Sequence, residues 1–488
     1  MMGVKDNLEF DFVASPTHKP SLLPSRRDRR QHAVTQTSKS AVSRVSKPAR
    51  STKSRPADLE VGDTAGLETC ATVVYSTVSS VNAPLTRQLS DFREFGAETR
   101  LVHTQAHMPS GEVITVPTYV NEFWTAKQRA ASRLHEISYR ACFKPQLPRF
   151  FIERLTRPGE VVYDPFMGRG TTLLEAALLG RIPFGCDVNP LSLRLLGPRL
   201  RPPGLEEIRA RLAEIDFRDH DELPEDLLVF YHPETLREIA ALKKYLLARE
   251  QDAVDRWICL VALNRLTGHS PGFFSVYTLP PNQAVSVKSQ RKINADRNQT
   301  PPRRHVPELI LKKSRILLSD CDATMRGALG AVAAKALLLN QAARATPQIP
   351  SDAVALVVTS PPFLDVVDYA GDNWLRCWFL GIDPKSVRLT VPKKLVEWQS
   401  EMTAVFRELR RVLRPGGHVA FEVGEVRAGT IKLEETVVLC GLDAGLKPLL
   451  ILINDQKFTK TANCWGVDNN NKGTNTNRIV LFQKTTQS

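Results

Sequence analysis

The sequence has little of what marks membrane, secreted and metal-centred proteins. No apolar run approaches the roughly 18–20 residues that span a bilayer, so a soluble protein with no membrane partner is expected. The beginning lacks the apolar core of a signal peptide. The 8 cysteines are scattered, with no Cys-x-x-Cys pair and no histidine cluster nearby. That pattern predicts reduced thiols in a cytoplasmic setting and no bound metal.

Acidic residues are outnumbered. The chain carries 66 Lys and Arg against 52 Asp and Glu, a formal net charge of +14. A strongly basic chain favours a polyanionic partner, most often nucleic acid, although a solvated basic surface is the alternative reading. From Phe12 to Arg55 the only acid is Asp28, and Ser, Pro, Lys and Arg dominate. Residues 1–60 are therefore predicted to be a disordered basic tail.

Strand-like and helix-like segments alternate over much of the remaining chain. This alternation predicts an α/β fold with a doubly wound, mostly parallel sheet of seven strands. The last two strands have no helix between them, so we expect them to form an antiparallel pair. The predicted strands cover residues 161–166, 182–189, 315–320, 353–359, 418–424, 448–453 and 478–482.

A glycine-rich segment, Asp164-Pro-Phe-Met-Gly-Arg-Gly-Thr-Thr172, lies between the first predicted strand and a helix. Gly168 and Gly170 can adopt backbone angles that other residues avoid, which leaves main-chain N–H groups facing a ligand at the helix N-terminus. Asp187 ends the next strand and is placed to accept hydrogen bonds from ribose hydroxyls. Only two glycines of a dinucleotide fingerprint are present, so a nucleoside-type cofactor is favoured.

A second segment, Thr359-Ser-Pro-Pro-Phe363, follows a fully apolar strand. Its two prolines fix the backbone and remove two hydrogen-bond donors, which leaves an acceptor-rich edge beside an aromatic ring. Ser360 Oγ and the Pro361 carbonyl can accept the protons of an amino group, and Phe363 can stack on the ring that bears it. Taken alone, the segment could equally be an ordinary turn after a strand.

Together, the two segments resemble the S-adenosylmethionine-dependent DNA amino-methyltransferases, which modify cytosine N4 or adenine N6. The family's cofactor motif is similar to residues 164–172, its catalytic motif is similar to residues 360–363, and the similarity extends over about 121–485. The resemblance implies a Rossmann-like class I methyltransferase fold, S-adenosyl-L-methionine as cofactor and double-stranded DNA as partner. It also implies base flipping, followed by direct attack of the amine on the methyl sulfonium.

The same resemblance assigns roles to individual residues. The implied catalytic residues are Ser360, Pro361, Pro362 and Phe363. The implied cofactor-binding residues are Asp164, Phe166, Gly168, Gly170 and Thr171 in the turn, Asp187 at the ribose, and Asp322, with Asp320 as a nearly equal candidate, near the adenine amine.

The form of the catalytic motif favours one target atom. Ser-Pro-Pro with a preceding Thr resembles the cytosine-N4 enzymes, whereas adenine enzymes more often carry Asp-Pro-Pro-Tyr. Adenine N6, or an RNA or tRNA amine, are the alternatives, and a non-catalytic nucleic-acid-binding protein is the alternative from another class. Cytosine C5 methylation needs a thiolate, usually from Pro-Cys, and no Cys follows a Pro here. A restriction context would add a cognate endonuclease as partner; the oligomeric state is left open.

The motif order suggests how the chain is divided. The region between the two motifs replaces the usual alternation with helical segments and a basic stretch, so it is the candidate for target recognition. That stretch, expected to be a loop, contains Lys288, Arg291, Lys292, Arg297, Arg303 and Arg304. The expected parts are the tail 1–60, an extension of uncertain structure 61–120, a cofactor-binding part 121–199, the insertion 200–312 and a catalytic part 313–488.

Overall fold

Eleven strands lie in the part of the chain that the structure, a computed structural model, describes. That part consists of residues 84–125, 131–140, 142–218, 223–278, 284–362, 369–384, 387, 392, 394–426, 431–455 and 476–485. The strands are β1 Arg100–His107, β2 Val113–Asn121, β3 Val161–Asp164, β4 Ile182–Cys186, β5 Leu337–Leu339, β6 Val354–Thr359, β7 Leu413–Val423, β8 Glu425–Val426, β9 Ile431–Lys432, β10 Lys447–Asp455 and β11 Thr476–Gln483.

Nine of these strands form one mixed sheet, in the order β1-β2-β10-β11-β7-β6-β3-β4-β5. The steps from β7 through β6, β3 and β4 to β5 are all parallel. Strand β11 is antiparallel to both β10 and β7, so the predicted closing pair is found. The α/β fold class is confirmed. The sheet has nine strands rather than seven because the hairpin β1–β2, in a region that sequence left unassigned, adds alongside β10.

Helices alternate with the strands, as an α/β fold requires. The described α-helices are α1 Leu85–Ser90, α2 Gln146–Leu155, α3 Thr171–Leu178, α4 Leu191–Leu200, α5 Leu205–Glu214, α6 Pro233–Leu247, α7 Ala253–Leu263, α8 Val287–Asp296, α9 Val306–Leu317, α10 Ala323–Ala333, α11 Tyr369–Leu380, α12 Leu395–Val412 and α13 Leu433–Asp443.

Both faces of the sheet are buried in its centre, around β6. On β6, Leu356 packs in a cluster with Phe151 of α2, whereas the next residue, Val357, packs in another cluster with Phe406 of α12. Successive side chains of a strand point to opposite faces, so helices must cover both sides. All six residues of β6 are buried, and this explains why its sequence is continuously apolar.

The predicted strand at 315–320 is wrong. Those residues form the end of α9 and the turn after it. The buried residues of α9, Val306, Ile310, Ser314 and Leu317, recur at helical spacing, whereas Ile316 is exposed. The strand that the sheet uses instead is β5, a run of three leucines that pairs with β4.

The insertion shares its core with the rest of the chain. Leu195 of α4, Trp257 of α7, Ile310 of α9 and Phe379 of α11 belong to one apolar cluster. Part of the predicted basic loop is helical, because Ser286 caps α8 by accepting a hydrogen bond from the Ser289 N–H. The helices of the insertion are thus packed onto the elements that flank both motifs.

Some expectations concern residues beyond the described ranges. The predicted tail 1–60 and Phe363 are among them. Within the described ranges, no helix is both long and apolar enough to cross a membrane. The cysteines that are described are free thiols: Cys142, Cys186, Cys259, Cys321, Cys377 and Cys440.

Candidate active site

The glycine turn connects β3 to α3 through two residues with positive φ. Gly168 has φ +48° and Gly170 has φ +78°. A Cβ on Gly170 would lie 2.7 Å from Leu196 Cδ1, closer than real Cβ contacts come. Glycine is therefore required at 170 both by the backbone angle and by the packing of α4. Thr171 begins α3 directly after this turn.

Asp164 closes β3 and is almost fully buried, at 2% exposure. Its Oδ1 accepts a hydrogen bond from Thr359 Oγ1 at 2.6 Å and another from the Phe166 N–H at 3.1 Å. Burial raises the pKa of Asp164 to about 7, although the hydrogen bonds from Thr359 and Phe166 act to lower it. The carboxyl group therefore titrates near neutral pH rather than in the usual acidic range.

Asp187 follows β4 and contacts the glycine turn from the side. Its Oδ2 accepts from the Gly168 N–H at 2.8 Å, and its Oδ1 accepts from the Asn189 N–H at 2.8 Å. Burial raises the pKa of Asp187 as well. Asn340, which follows β5, donates its amide to the Asp187 carbonyl at 2.8 Å. The ends of β3, β4 and β5 thus meet at the carboxyl edge of the sheet, where open α/β sheets bind ligands.

The Thr-Ser-Pro-Pro segment leaves β6 at the same edge. Thr359 is the last residue of β6 and is fully buried. The indole N–H of Trp398, a buried residue of α12, donates to the Pro362 carbonyl at 2.9 Å. The prolines restrict the backbone at positions 361 and 362, and the Trp398 contact holds the Pro362 carbonyl. Ser360 lies between the buried Thr359 and these two prolines.

A single cleft brings the two motifs together. It is a small cleft that opens to solvent. Its lining includes four predicted cofactor residues, the predicted catalytic Ser360, and the wall residues Cys142 and Phe143. The full lining is Cys142, Phe143, Asp164, Phe166, Met167, Gly168, Arg169, Thr171 and Ser360. Among the residues that the structure describes, no group of three His, Cys, Asp or Glu side chains is placed to hold a metal ion.

Four predicted cofactor residues are not in the lining of this cleft: Gly170 and Asp187, which belong to or contact the glycine turn, and Asp320 and Asp322, which do not. Asp320 accepts a hydrogen bond from the Arg133 N–H at 2.8 Å, and Asp322 caps α10 by accepting from the Met325 N–H at 2.8 Å. The resemblance assigned them, and the segment before them, 315–320, forms the end of α9 and a turn rather than the expected strand. The residue that follows the corresponding strand, β5, is Asn340, a polar residue that the motif comparison missed.

Arg169 is a second residue that the sequence did not single out. Its side chain is buried between the two glycines and donates to the Ile137 carbonyl at 2.9 Å and to Thr171 Oγ1 at 3.0 Å. Arg199, a buried residue of α4, donates to the carbonyls of Leu134 and Arg169. Burial, with the nearby charge of Arg169, lowers the pKa of Arg199 to about 9. These two arginines connect residues 131–140 and Phe143, which form one wall beside the turn, to the glycine turn.

With this geometry established, the chain can be compared with known proteins. The model of a family named for N6 and N4 methyltransferases and described as DNA methylase matches residues 102–196, which contain the glycine turn and Asp187. Over these residues the chain is similar to a family of DNA methyltransferases. The resemblance to the amino-methyltransferase family is confirmed over the matched part of the chain.

Individual relatives agree with the family match. The chain is 23% identical over 282 residues to the Type II methyltransferase M.BsoBI of Geobacillus stearothermophilus, covering 52% of this chain and 53% of that protein. It is 30% identical over 77 residues to the Type II methyltransferase M.MjaII of Methanocaldococcus jannaschii. That match covers 16% of this chain and 14% of that protein. The chain spans about half or less of the length of these relatives.

Solved structures include distant neighbours. A methyltransferase from Methanosarcina mazei, described as SAM-dependent, is 11% identical over 69% of this chain and 98% of its own, with a TM-score of 0.29. That score indicates only a loose correspondence of the two folds.

Proposed function

We propose that the protein transfers a methyl group from S-adenosyl-L-methionine to the exocyclic N4 amine of a cytosine in double-stranded DNA. The observation that carries the proposal is the cleft shared by the glycine turn and Ser360. Direct transfer needs a cofactor site and an amine-accepting strand end, and the residues we propose for these two roles line one cleft. The description of the matched family as DNA methylase supports a DNA substrate, and the relatives are named Type II methyltransferases, so a cognate restriction endonuclease is the partner we would look for.

Residues of the turn would hold the cofactor. Main-chain N–H groups at the start of α3 suit a polar ligand group, and the Asp187 carboxylate suits ribose hydroxyls. The family resemblance gives Asp322 the place near the adenine amine of the cofactor. Asn340 would take that place instead, because its amide contacts the Asp187 carbonyl at the proposed ribose site. Phe166 lines the cleft and offers an aromatic surface beside Asp164. When bound, the cofactor supplies an electrophilic methyl sulfonium.

The protein's contribution to the chemistry would be to position the amine. An exocyclic amine is a weak nucleophile because its lone pair is delocalised into the ring. Acceptors at Ser360 Oγ and at the Pro361 carbonyl would bind the amine's hydrogens and aim its nitrogen at the methyl group. The Trp398 contact with Pro362 keeps this edge in place before the base arrives. The Ser-Pro-Pro form supports cytosine N4 as the target.

The insertion would contact DNA. Lys288, Arg291 and Lys292 lie exposed on α8, and of these Arg291 pairs with Asp226 at 2.9 Å. The indole N–H of Trp374, on α11 after the catalytic motif, donates to the Val285 carbonyl just before α8. A basic helix coupled in this way to the catalytic segment suits phosphate contacts that position the duplex.

The test is transfer of labelled methyl to mixed-sequence duplex DNA, followed by mass spectrometry of the digested nucleosides. N4-methylcytosine is the expected product. N6-methyladenine would retain the chemistry and replace the target. Label in RNA alone would support an RNA amino-methyltransferase, and binding of DNA without any transfer would support a non-catalytic role.

A further inference from the structure

A buried carboxylate lies next to Ser360 on the neighbouring strand. Glu422 is the second-last residue of β7 and is only 4% exposed. The parallel pairing of β6 with β7 aligns Thr359 with Phe421, so Ser360 and Glu422 follow side by side. This register places the Ser360 hydroxyl beside the Glu422 carboxylate, whose Oε1 accepts a hydrogen bond from Asn477 Nδ2 at 3.0 Å.

The surroundings make this an unfavourable place for a carboxylate. The residues two positions earlier on the two strands, Val358 and Ala420, belong to an apolar cluster. The two hydrogen-bond donors, Ser360 and Asn477, are neutral groups. Burial raises the pKa of Glu422, although both hydrogen bonds act to lower it. Among the residues that the structure describes, the groups recorded beside this carboxylate are neutral, and a buried carboxylate without a cationic partner costs stability, so its presence calls for a role.

The chemistry of the Ser360 hydroxyl supplies that role. A hydroxyl has one hydrogen to donate and two lone pairs that accept, and it rotates to suit its neighbours. A carboxylate can only accept. With its hydrogen directed to Glu422, Ser360 Oγ keeps its lone pairs for other donors. Ser360 also lines the cleft, so those lone pairs are available where the amine would arrive.

We propose that Glu422 is a positioning residue that fixes the Ser360 hydroxyl as a hydrogen-bond acceptor for the substrate amine. This inference rests on the proposed function. Glu422 would act through Ser360, since the side chains recorded beside it in the described part of the chain are Ser360 and Asn477 rather than residues of the turn. Without the carboxylate, the hydroxyl hydrogen can rotate towards the amine, and an acceptor becomes a competing donor.

The test is a double-mutant cycle of Ser360→Ala and Glu422→Met, because Met fills a similar volume without a strong acceptor. Single-turnover transfer by Glu422→Met is expected to fall about 10- to 100-fold, the range for a hydrogen bond to a charged group, while cofactor affinity stays unchanged. In the Ser360→Ala background, Glu422→Met is expected to cause no further loss of rate. Independent, multiplicative losses would overturn the proposal.

The same double-mutant cycle can be measured on the free energy of unfolding, which requires no enzymatic activity and so separates this inference from the proposed function. The effects of Ser360→Ala and Glu422→Met on the free energy of unfolding are expected to be coupled. Additive effects would overturn the contact between the two side chains. Absence of transfer by the wild-type protein would count against the proposed function instead. Glu408→Met is the matched control, because Glu408 also accepts a hydrogen bond from a hydroxyl, that of Thr346, at 2.6 Å. Thr346 precedes β6 in the chain and is not in the catalytic motif, so this variant should leave the transfer rate unchanged.

Discussion

The Thr359 hydroxyl donates a hydrogen bond of 2.6 Å to Asp164 Oδ1, across 195 residues of sequence. Asp164 ends β3 within the cofactor motif, and Thr359 ends β6 just before the catalytic motif. Because the two strands are adjacent and parallel, their ends lie at one edge of the sheet. The contact therefore fixes the spacing between the two motifs in the fold.

The raised pKa of Asp164 predicts a pH-dependent stability. The folded protein keeps the proton up to about pH 7, whereas the ordinary carboxyl loses it near 3.8. Folding stability from this group is therefore greatest at low pH and falls as pH rises from about 4 to about 7. The variant Asp164→Asn cannot titrate. The wild-type free energy of unfolding, minus that of the variant, should fall by roughly 4 kcal/mol over this range. The measurement is urea denaturation of both proteins at several pH values. Wild-type and Asp164→Asn free energies of unfolding that change with pH in parallel would contradict the raised pKa of Asp164.

Gly170→Ala should damage the cofactor turn. The positive φ alone costs about 1–2 kcal/mol, and the clash of the new Cβ with Leu196 adds about 1–3 kcal/mol. Gly180→Ala is the matched control, because Gly180 has φ +75° but its nearest Cβ neighbour would be 3.7 Å away. Both variants should lose stability, Gly170→Ala more so, and only Gly170→Ala should weaken cofactor binding in calorimetry. Equal effects would argue against a packed turn.

Asp187 and Asp322 can be separated by cofactor affinity. Asp187→Ala removes the acceptor of the Gly168 N–H and the proposed ribose contact, so affinity should fall at least tenfold, the equivalent of about 1.4 kcal/mol. Asp322→Ala removes only the cap of α10 and should cost about 1 kcal/mol of stability without changing affinity. A loss of affinity in Asp322→Ala would restore the assignment made from motif comparison.

Much of this site was predictable, and the reasons are local. The turn with Gly168 and Gly170, and Asp187 on the next strand, are encoded within about 25 residues, so spacing alone indicated them. The strand at 315–320 was wrong because a short apolar run fits a helix end equally well, and the three-residue β5 leaves almost no pattern. Glu422 was missed because only the pairing of β6 with β7 places it beside Ser360.

The basic helix α8 predicts salt-dependent DNA binding. Removing one side chain that neutralises a phosphate should reduce the slope of log affinity against log salt by about 0.9. The double variant Lys288→Gln, Lys292→Gln should therefore lower the slope by about 2 relative to wild type. Lys447→Gln is the control, because Lys447 is exposed at the amino end of β10, away from the carboxyl edge of the sheet. An unchanged slope in the double variant would remove α8 from the DNA interface.

Ser360→Ala tests the central claim, that one cleft joins a cofactor site to an amine-orienting serine. The measurement is single-turnover methyl transfer to DNA together with cofactor affinity for the same variant. We predict that the transfer rate falls by at least tenfold, the equivalent of about 1.4 kcal/mol in the barrier, while cofactor affinity stays within experimental error of wild type. An equal loss of rate and affinity, or full activity, would contradict the role assigned to Ser360.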